Sequence, residues 1–290
     1  MCGAIAGASS APLSIVAAAD VSTAGDRTDI PVTSDYRELL SSDRIDAVLV
    51  TTPPSSHAKI TREALLAGKD VLVEKPPART ATEARELRDL AASNGCVLVF
   101  AYHAQHNPAV IAAAAHPGSS MIEHAHVVFR EDSTQFHGPN SFASEEGALR
   151  DSGINAISIL TRLLPGLALR VIRATLHVPA GAPAETRAVV EFSIGGSSTG
   201  VVDVDIAHSG PEVRRVDVRT ASGMAHLDIT RGTYARDDNE VAPASSTDML
   251  REEYARMLTA FASAIRRRES NASLREIAWV EDALARARAS

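Results

Sequence analysis

The sequence has few aromatic residues and few cysteines, and these shortages exclude several classes of protein. Only 4% of the 290 residues are Phe, Trp or Tyr, and Trp279 is the single tryptophan. Two cysteines, Cys2 and Cys96, are too few for a disulfide framework or a cysteine-based metal cluster. His124 and His126 alternate along one predicted strand without an obvious third ligand, so we expect a solvated face there and no metal.

Long apolar runs and blocks of like charge are missing as well. No uninterrupted apolar segment is long enough to span a bilayer. The N-terminal residues MCGAIAGASS lack the basic start of a signal peptide. The net charge of −7 is spread along the chain, which argues against a nucleic-acid or membrane partner. We therefore expect a cytoplasmic enzyme or binding protein that acts on a small molecule.

Apolar runs alternate with helix-like segments in the first part of the chain. The runs end at Asp20, Thr52, Lys75 and His103, and helical patterns that stop at glycine separate the last three. Continuous apolar strands with intervening helices are typical of a parallel sheet buried on both faces. The sequence therefore predicts a doubly wound α/β domain over residues 1–104.

The second part of the chain has strands without helices between them. Runs such as LRVIRATLHVP, TRAVVEFSI and TGVVDVDIAHS follow a helix that contains DSGIN, and two amphipathic helices close the chain. Val202 and Val204 alternate with Asp203 and Asp205, which indicates one covered and one wetter face. Residues 105–290 are thus predicted to form an α+β domain with a mostly antiparallel sheet and helices on one face. Its open sheet face is a candidate for homo-oligomer contact.

Two groups of polar residues suggest a ligand site. The strand DVLVEKPP ends on Glu74 and Lys75 before two prolines that stop the ladder. In open α/β sheets, ligands bind at this carboxyl edge. Asp151 and Asn155 lie four residues apart and would share one face of a helix. We expect Lys75 and Asp151 to converge on a single cleft.

Several segments, in order, resemble the NAD(P)-dependent sugar oxidoreductases of the Gfo/Idh/MocA family, most of all the L-arabinose/D-galactose 1-dehydrogenase branch. They are LLAGKDVLVEKPP, YHAQHNPAV, FREDSTQFH, RDSGINAISILTRLLP and the SGP after His208. The resemblance implies hydride transfer from C1 of a cyclic aldose to a nicotinamide, which gives an aldonolactone. It implies that Lys75 holds O1 and that Asp151 accepts the proton or tunes the lysine; which of the two is the base stays open.

The resemblance also implies further site residues. Asn155 stands where many relatives have histidine, and its amide can orient a substrate hydroxyl without titrating. The expected cofactor-binding residues are Asp20, Thr51, Thr52, Pro53, His57, Glu74 and Lys75; the expected substrate-binding residues are His103, Glu131, Phe136 and His137. Simpler interpretations exist: Glu74 and Lys75 as a solvated pair, Asp151 as a helix N-cap, His103 bound to a buried backbone group, and Glu131 and His137 as loop residues.

The end of the second predicted strand bears on cofactor choice. Asp20 stands where an acid hydrogen-bonds the adenosine ribose and repels a 2′-phosphate. Val21 follows, where NADP-accepting members of the branch often carry arginine. We therefore expect NAD rather than NADP, with a plain turn residue as the alternative role for Asp20.

A dinucleotide fold begins with an apolar strand and a Gly-x-Gly-x-x-Gly turn, and this sequence has neither. About 20 residues are missing relative to that pattern. Either Met1 is an internal methionine mistaken for the start, which we favour, or the chain is a truncated relative. A truncated relative would bind cofactor poorly, and a sugar-binding sensor that cannot transfer hydride is the corresponding alternative function.

Substrate identity is less determined than reaction type. Phe136 stands where tryptophan is usual in the branch, and Ile206 and Ala207 replace a Trp-Arg pair. An arabinose or galactose substrate is therefore an analogy, and a different polyol or a carbonyl substrate within the same family is the alternative.

Overall fold

The computed structural model describes residues 13–21, 30–115, 122–134, 146–237, 239–242 and 248–288. The chain divides into two compact units. The first comprises the described residues of Met1–Ala101 together with Ala255–Ser273, and the second those of Tyr102–Tyr254 together with Leu274–Ser290. The sequence-based boundary between residues 104 and 105 stays a prediction, and it did not include the return of residues 255–273 to the first unit.

The first unit contains the predicted parallel sheet. Its three-stranded part runs in the order β3-β4-β5, and each strand pairs parallel with the next. The described strands and helices are β1 (Ala18–Ala19), β2 (Val32–Thr33), α1 (Tyr36–Leu40), β3 (Ala47–Val50), α2 (Pro54–Leu66), β4 (Asp70–Glu74), α3 (Ala81–Ser93) and β5 (Leu98–Ala101). β4 and β5 are almost wholly buried because helices follow in chain order on the faces of such sheets. The predicted doubly wound class is confirmed.

The two earliest strands form a parallel pair of their own. Ala18 pairs with Val32 and Ala19 with Thr33, in a sheet separate from β3-β4-β5. The chain next to this pair leaves Ile15, Val16 and Val21 40%, 47% and 89% exposed. The segment MCGAIAGAS, which the sequence analysis assigns to a remnant of the first helix, lies outside the described residues.

Backbone and side-chain bonds attach residues 268–271 to the first unit. Arg268 Nη1 lies 2.7 Å from the Asp70 carboxylate, whose other oxygen accepts a hydrogen bond from the Val97 amide at 2.7 Å. The Asn271 amide donates to Leu98, and the Asn271 carbonyl accepts from Phe100, both at 3.0 Å. Asn271 thus extends the backbone hydrogen-bond ladder beside β5, which explains why residues 255–273 belong to the first unit.

The second unit is built on one eight-stranded sheet in the order β13-β12-β11-β10-β6-β9-β8-β7. All neighbours are antiparallel except β6 and β9. The strands are β6 (Ile122–Arg130), β7 (Leu169–His177), β8 (Arg187–Ile194), β9 (Ser198–Asp205), β10 (Val213–Thr220), β11 (Gly223–Asp228), β12 (Thr233–Arg236) and β13 (Asn239–Ala242). The mostly antiparallel sheet is confirmed; the short β12 and β13 lack a clear alternating pattern and were not predicted.

Helices cover one face of this sheet. Those in contact with its strands are α4 (Pro108–Ala115), a π-helical turn (Leu149–Gly153), α5 (Ile154–Leu163) and, at the end of the chain, α7 (Arg275–Arg288). A 3₁₀ turn (His103–His106) precedes α4, and α6 (Met249–Arg267) starts in this unit and ends in the first. Trp279 of α7 meets Phe192 of β8 edge-to-face, with ring centroids 5.9 Å apart. Gly200 lies under the same phenyl ring, where a Cβ atom would come within 2.3 Å of it.

The other face of the sheet carries charges, as the alternation in β9 predicts. Val202 and Val204 are fully buried. Asp203 is only 7% exposed because Arg130 and Arg187 from the neighbouring strands cover it, at 3.0 and 3.1 Å. Burial opposes ionisation of Asp203, but its hydrogen bonds to the two arginines outweigh burial and lower its pKa.

Candidate active-site residues in the two units

In the first unit, the carboxyl ends of β3 and β4 lie side by side. Val50 pairs with Val73, so Thr51 and Glu74 follow at the same edge of the sheet. Thr51, Thr52 and Pro53 are exposed, and Glu74 and Lys75 are half-buried. The Lys75 amide donates to the Glu74 carboxylate at 3.1 Å, and the Lys75–Pro76 peptide bond is cis. This edge therefore presents a row of polar groups above a buried apolar sheet.

His57 joins the loops that follow these two strands. Its side chain is buried, with Nδ1 2.8 Å from the Pro76 carbonyl oxygen and Nε2 2.6 Å from that of Thr52. Both ring nitrogens thus face backbone oxygens of the same unit. The structure gives His57 a role in holding the two loops together, and its predicted contact with cofactor stays a prediction.

Asp20 follows β1 in an exposed position. β1 pairs parallel with β2, so Asp20 lies at the carboxyl end of a parallel strand, as predicted. The predicted hydrogen bond between Asp20 and the adenosine ribose of a cofactor stays a prediction.

In the second unit, Asp151 and Asn155 lie at the junction of two helix types. The sequence predicts one regular helix, whereas Leu149–Gly153 form a π-helical turn before α5 begins at Ile154. Asp151 is half-buried, and Asn155 is 6% exposed. Single π-helical turns are rare and occur frequently at functional sites.

Glu185, on the segment before β8, holds the start of this turn. Its carboxylate accepts from the Leu149 amide at 3.2 Å, and its carbonyl accepts from the Ala148 amide at 2.9 Å. Gly147 has φ +84°, and a Cβ atom there would lie 2.5 Å from the Glu185 carboxylate. Sequence reasoning missed Glu185, since nothing local connects it to a helix some 36 residues earlier in the chain.

Glu131 holds the middle of the turn. Its carboxylate accepts a short hydrogen bond from the Ser152 hydroxyl and pairs with Arg214, whose Nε lies 3.1 Å away. Burial lowers the pKa of Arg214, but the charges of Glu131 and Glu212 outweigh it and raise the pKa above its ordinary value. Glu131 is thus engaged within its own unit, and its predicted contact with substrate stays a prediction.

His103 and Asn155 meet although they are 52 residues apart in sequence. His103 is buried, with Nε2 3.0 Å from Asn155 Nδ2 and Nδ1 2.7 Å from the carboxylate of Glu253, which is 1% exposed. Tyr254 stacks on the imidazole with centroids 5.2 Å apart. Glu253 was not predicted, although an acid four residues after Met249 and four before Met257 interrupts the apolar face of α6.

The remaining predicted residues separate into two groups. Phe136 and His137 lie outside the described residues. Lys75 belongs to the first unit and Asp151 to the second, and their convergence stays a prediction.

Where the chain is described, no group of three or more His, Cys, Asp or Glu side chains is arranged to hold a metal, and no helix is long and apolar enough to cross a membrane.

The folds of the two units define a class. A parallel sheet with polar residues at its carboxyl edge, followed by an open mixed sheet covered on one face by helices, is typical of two-domain dinucleotide-dependent oxidoreductases. Residues 10–103 match the Gfo/Idh/MocA family model, which is described as "Oxidoreductase family, NAD-binding Rossmann fold".

Individual proteins are similar over longer stretches. Galactose 1-dehydrogenase of Pseudomonas fluorescens is 32% identical over 186 residues, which are 63% of this chain and 60% of that protein. The chain thus matches less than two thirds of this curated relative. The crystal structure of D-galactose-1-dehydrogenase from Rhizobium etli superposes with a TM-score of 0.81 and 28% identity, covering 94% of this chain and 86% of the other.

A more distant structure shares the fold. The inositol dehydrogenase homologue from Azotobacter vinelandii, complexed with NAD⁺, has a TM-score of 0.78 at 21% identity and covers 88% of this chain and 81% of its own. At this identity, the similarity shows the fold alone.

Proposed function

We propose that this chain catalyses the NAD-dependent oxidation of a cyclic aldose, of the galactose or arabinose type, at C1 to an aldonolactone. The observation that carries the proposal is the similarity to galactose 1-dehydrogenase over 186 residues, more than the matched dinucleotide-binding region 10–103 contains. The similarity therefore reaches into the second unit, which supplies the expected substrate-binding side.

The residues of the first unit fit a dinucleotide at the carboxyl edge of the sheet. Thr51 and Glu74 lie in register at that edge, and Asp20 ends a parallel strand. The residues that would hold the cofactor are Asp20, Thr51, Thr52, Pro53, Glu74 and Lys75, with His57 holding the loops. The Asp20 carboxylate would favour NAD over NADP.

NAD, when bound, accepts the hydride that leaves C1 of the sugar. As the C1–H bond breaks, the O1–H bond breaks too, and its electron pair forms the lactone C=O bond. Lys75 would hold O1 by a charge-assisted hydrogen bond, and the proton would pass to Lys75 or Asp151. Asn155 would orient a sugar hydroxyl, and His103 lies directly behind it.

An activity assay tests the proposal. The full chain is incubated with NAD and a panel of aldoses and polyols, and NADH formation is followed. We expect oxidation of at least one aldose, a higher kcat/KM with NAD than with NADP, and a loss of kcat of at least about 100-fold in Lys75→Met. Absence of NADH formation with every sugar would contradict the proposal.

A sugar-binding protein without hydride transfer is the second candidate, because the buried Asn155 Oδ1, which accepts no hydrogen bond within the described chain, could bind a sugar hydroxyl without turnover. Titration calorimetry separates the two candidates. Sugar binding without any NAD binding or turnover would identify a sensor, whereas binding of both ligands together with turnover would identify the dehydrogenase.

We also propose that the protein is a cytoplasmic homo-oligomer whose copies meet through the outer face of the eight-stranded sheet. The charged rows of that face, such as Arg130–Asp203–Arg187, could pair across copies. Sedimentation of the purified chain tests the oligomer, and a monomer at micromolar concentration would contradict it.

A further inference from the structure

A directional chain of hydrogen bonds in the second unit starts at Asn107. This side chain is fully buried, and backbone groups settle which end of its amide is which. Oδ1 accepts from the Ala109 amide at 3.0 Å, and Nδ2 donates to the Ile229 carbonyl at 2.9 Å. The second hydrogen of Nδ2 then points to Glu253 Oε1, 2.7 Å away. Asn107 can therefore only donate to Glu253.

Glu253 passes this direction on to His103. One oxygen of the Glu253 carboxylate accepts from Asn107, and the other lies 2.7 Å from His103 Nδ1. Because a carboxylate has no hydrogen to donate, Nδ1 must carry the proton of the imidazole. Nε2 of a neutral imidazole is then a bare acceptor.

His103 in turn orients Asn155. A bare Nε2 requires a donor, so the Asn155 Nδ2 group faces it at 3.0 Å and Oδ1 is directed away. Within the described chain, Asn155 Oδ1 is buried and accepts no hydrogen bond. Buried polar atoms without a partner are uncommon and call for an explanation such as a ligand.

We propose that Glu253, acting through His103, fixes the amide polarity of Asn155 so that the second unit offers a hydrogen-bond acceptor to a hydroxyl of the substrate. Glu253 is then a positioning residue, and Asn107, by donating to it, makes Glu253 the acceptor of that hydrogen bond. That the donor is a sugar hydroxyl depends on the proposed function. The direction of the hydrogen bonds from Asn107 through Glu253 and His103 to Asn155 does not depend on it. A ligand that lacks the donating hydroxyl, or carries it as a methyl ether, leaves Oδ1 unpaired and binds less tightly.

The substitution Glu253→Gln should reverse the direction of the hydrogen bonds from residue 253 to Asn155. Asn107 still donates, so the glutamine oxygen turns to it and the glutamine NH₂ faces His103 Nδ1. Nδ1 must then accept, the proton moves to Nε2, and Asn155 turns its oxygen towards His103 and its NH₂ outward. Glu252→Gln is the matched control, since it is the same chemical change on the preceding, half-exposed residue of α6.

Nitrogen-15 NMR of the imidazole groups in the full chain reads this polarity directly, with His103→Gln identifying the His103 signals. We expect the Nδ1–H tautomer in the wild type and in Glu252→Gln, and the Nε2–H tautomer in Glu253→Gln. An Nε2–H tautomer or an imidazolium in the wild type at neutral pH overturns the proposal. The wild-type spectrum alone therefore decides, even where a variant does not fold.

Kinetics test the link to substrate. For a sugar that is oxidised, we expect Glu253→Gln to raise its KM about tenfold or more, with the KM of NAD nearly unchanged, and one deoxy or O-methyl sugar to show a similar loss with the wild type. An unchanged sugar KM in a variant with the reversed tautomer overturns the role in binding. The expected tautomers in a protein that neither binds nor oxidises any sugar would instead contradict the proposed function and leave the polarity standing.

Discussion

Four glutamates of the second unit are buried among the described residues, and every one of them contacts the helical segment 149–163 or its partner His103. They are Glu131, Glu185, Glu253 and Glu276. Their respective contacts are the Ser152 hydroxyl, the Leu149 amide, His103, and the Thr161 hydroxyl. Burying a carboxylate is costly unless it is paired or hydrogen-bonded. These acids therefore hold the segment that carries Asp151 and Asn155 in one position.

Glu131→Gln tests this at the level of one residue. Glutamine can still accept from Ser152, but it leaves the buried Arg214 guanidinium with Glu212 as its remaining partner. We expect a loss of up to about 3 kcal/mol in the free energy of unfolding, measured by urea denaturation, because Glu212 alone compensates the charge of the buried guanidinium only in part. Glu123→Gln, an exposed change on the same strand, should have almost no effect; equal losses in both would contradict this role for Glu131.

Asp203 gives the protein a pH-dependent contribution to stability. Its pKa is lowered in the folded state, so its contribution is present above the ordinary aspartate pKa of about 3.9 and is lost as the pH falls through the lowered value. We expect Asp203→Asn to cost about 1 kcal/mol at pH 7 and progressively less below about pH 4. Denaturant titrations at several pH values measure this, with the exposed Glu191→Gln as control. A cost that does not change with pH would show that the ion pairs do not cause it.

At the scale of elements, the π-helical turn depends on a close approach between Gly147 and Glu185. Gly147→Ala combines a left-handed φ with a contact of 2.5 Å to the carboxylate, whereas Gly166 has φ +81° and open space around it. We expect Gly166→Ala to cost about 1 kcal/mol of stability and Gly147→Ala about 1–3 kcal/mol more.

Thermal unfolding and activity distinguish the two glycine variants. Displacing Glu185 should shift the turn that carries Asp151, so Gly147→Ala should also lose activity, while Gly166→Ala should keep it. Equal stability and activity in both variants would mean that the Glu185 contact does not position the turn.

At the scale of the whole molecule, the chain leaves the first unit after Ala101 and returns to it at Ala255. Asp70 links the two stretches through the Val97 amide and Arg268. Asp70→Asn keeps the size of the side chain but weakens the ion pair, so we expect faster hydrogen exchange at Asn271 and Phe100, whose amides belong to the added ladder.

Exchange at the amides of α5 in the second unit should not change in Asp70→Asn. The exposed Asp89→Asn on α3 is the matched control and should leave Asn271 protected. Unchanged exchange at Asn271 in Asp70→Asn would show that the backbone ladder alone holds the return segment.

Much of this architecture could be predicted because it depends on local patterns. The apolar run before Glu74 and Lys75 and the helix-like segments around it indicate a buried parallel sheet, and the alternation of Val202 and Val204 with Asp203 indicates a sheet with two unlike faces. The family resemblance also pointed to His103 and Asn155, which the structure brings into contact. The two sheets need only the period of the hydrophobic pattern, whereas these two residues needed the comparison with relatives.

Tertiary structure decided the features that depend on contacts between distant residues. The π-helical turn, the return of residues 255–273 and the pairing of Glu253 with His103 follow from partners 36 to 198 residues away, which no local period encodes. The sequence by itself determined the two kinds of sheet, because the order of apolar and polar residues decides which faces are buried. The direction of each buried hydrogen bond was decided only in the folded chain. A polar group that is shielded from water must form its hydrogen bond with whichever group is packed against it.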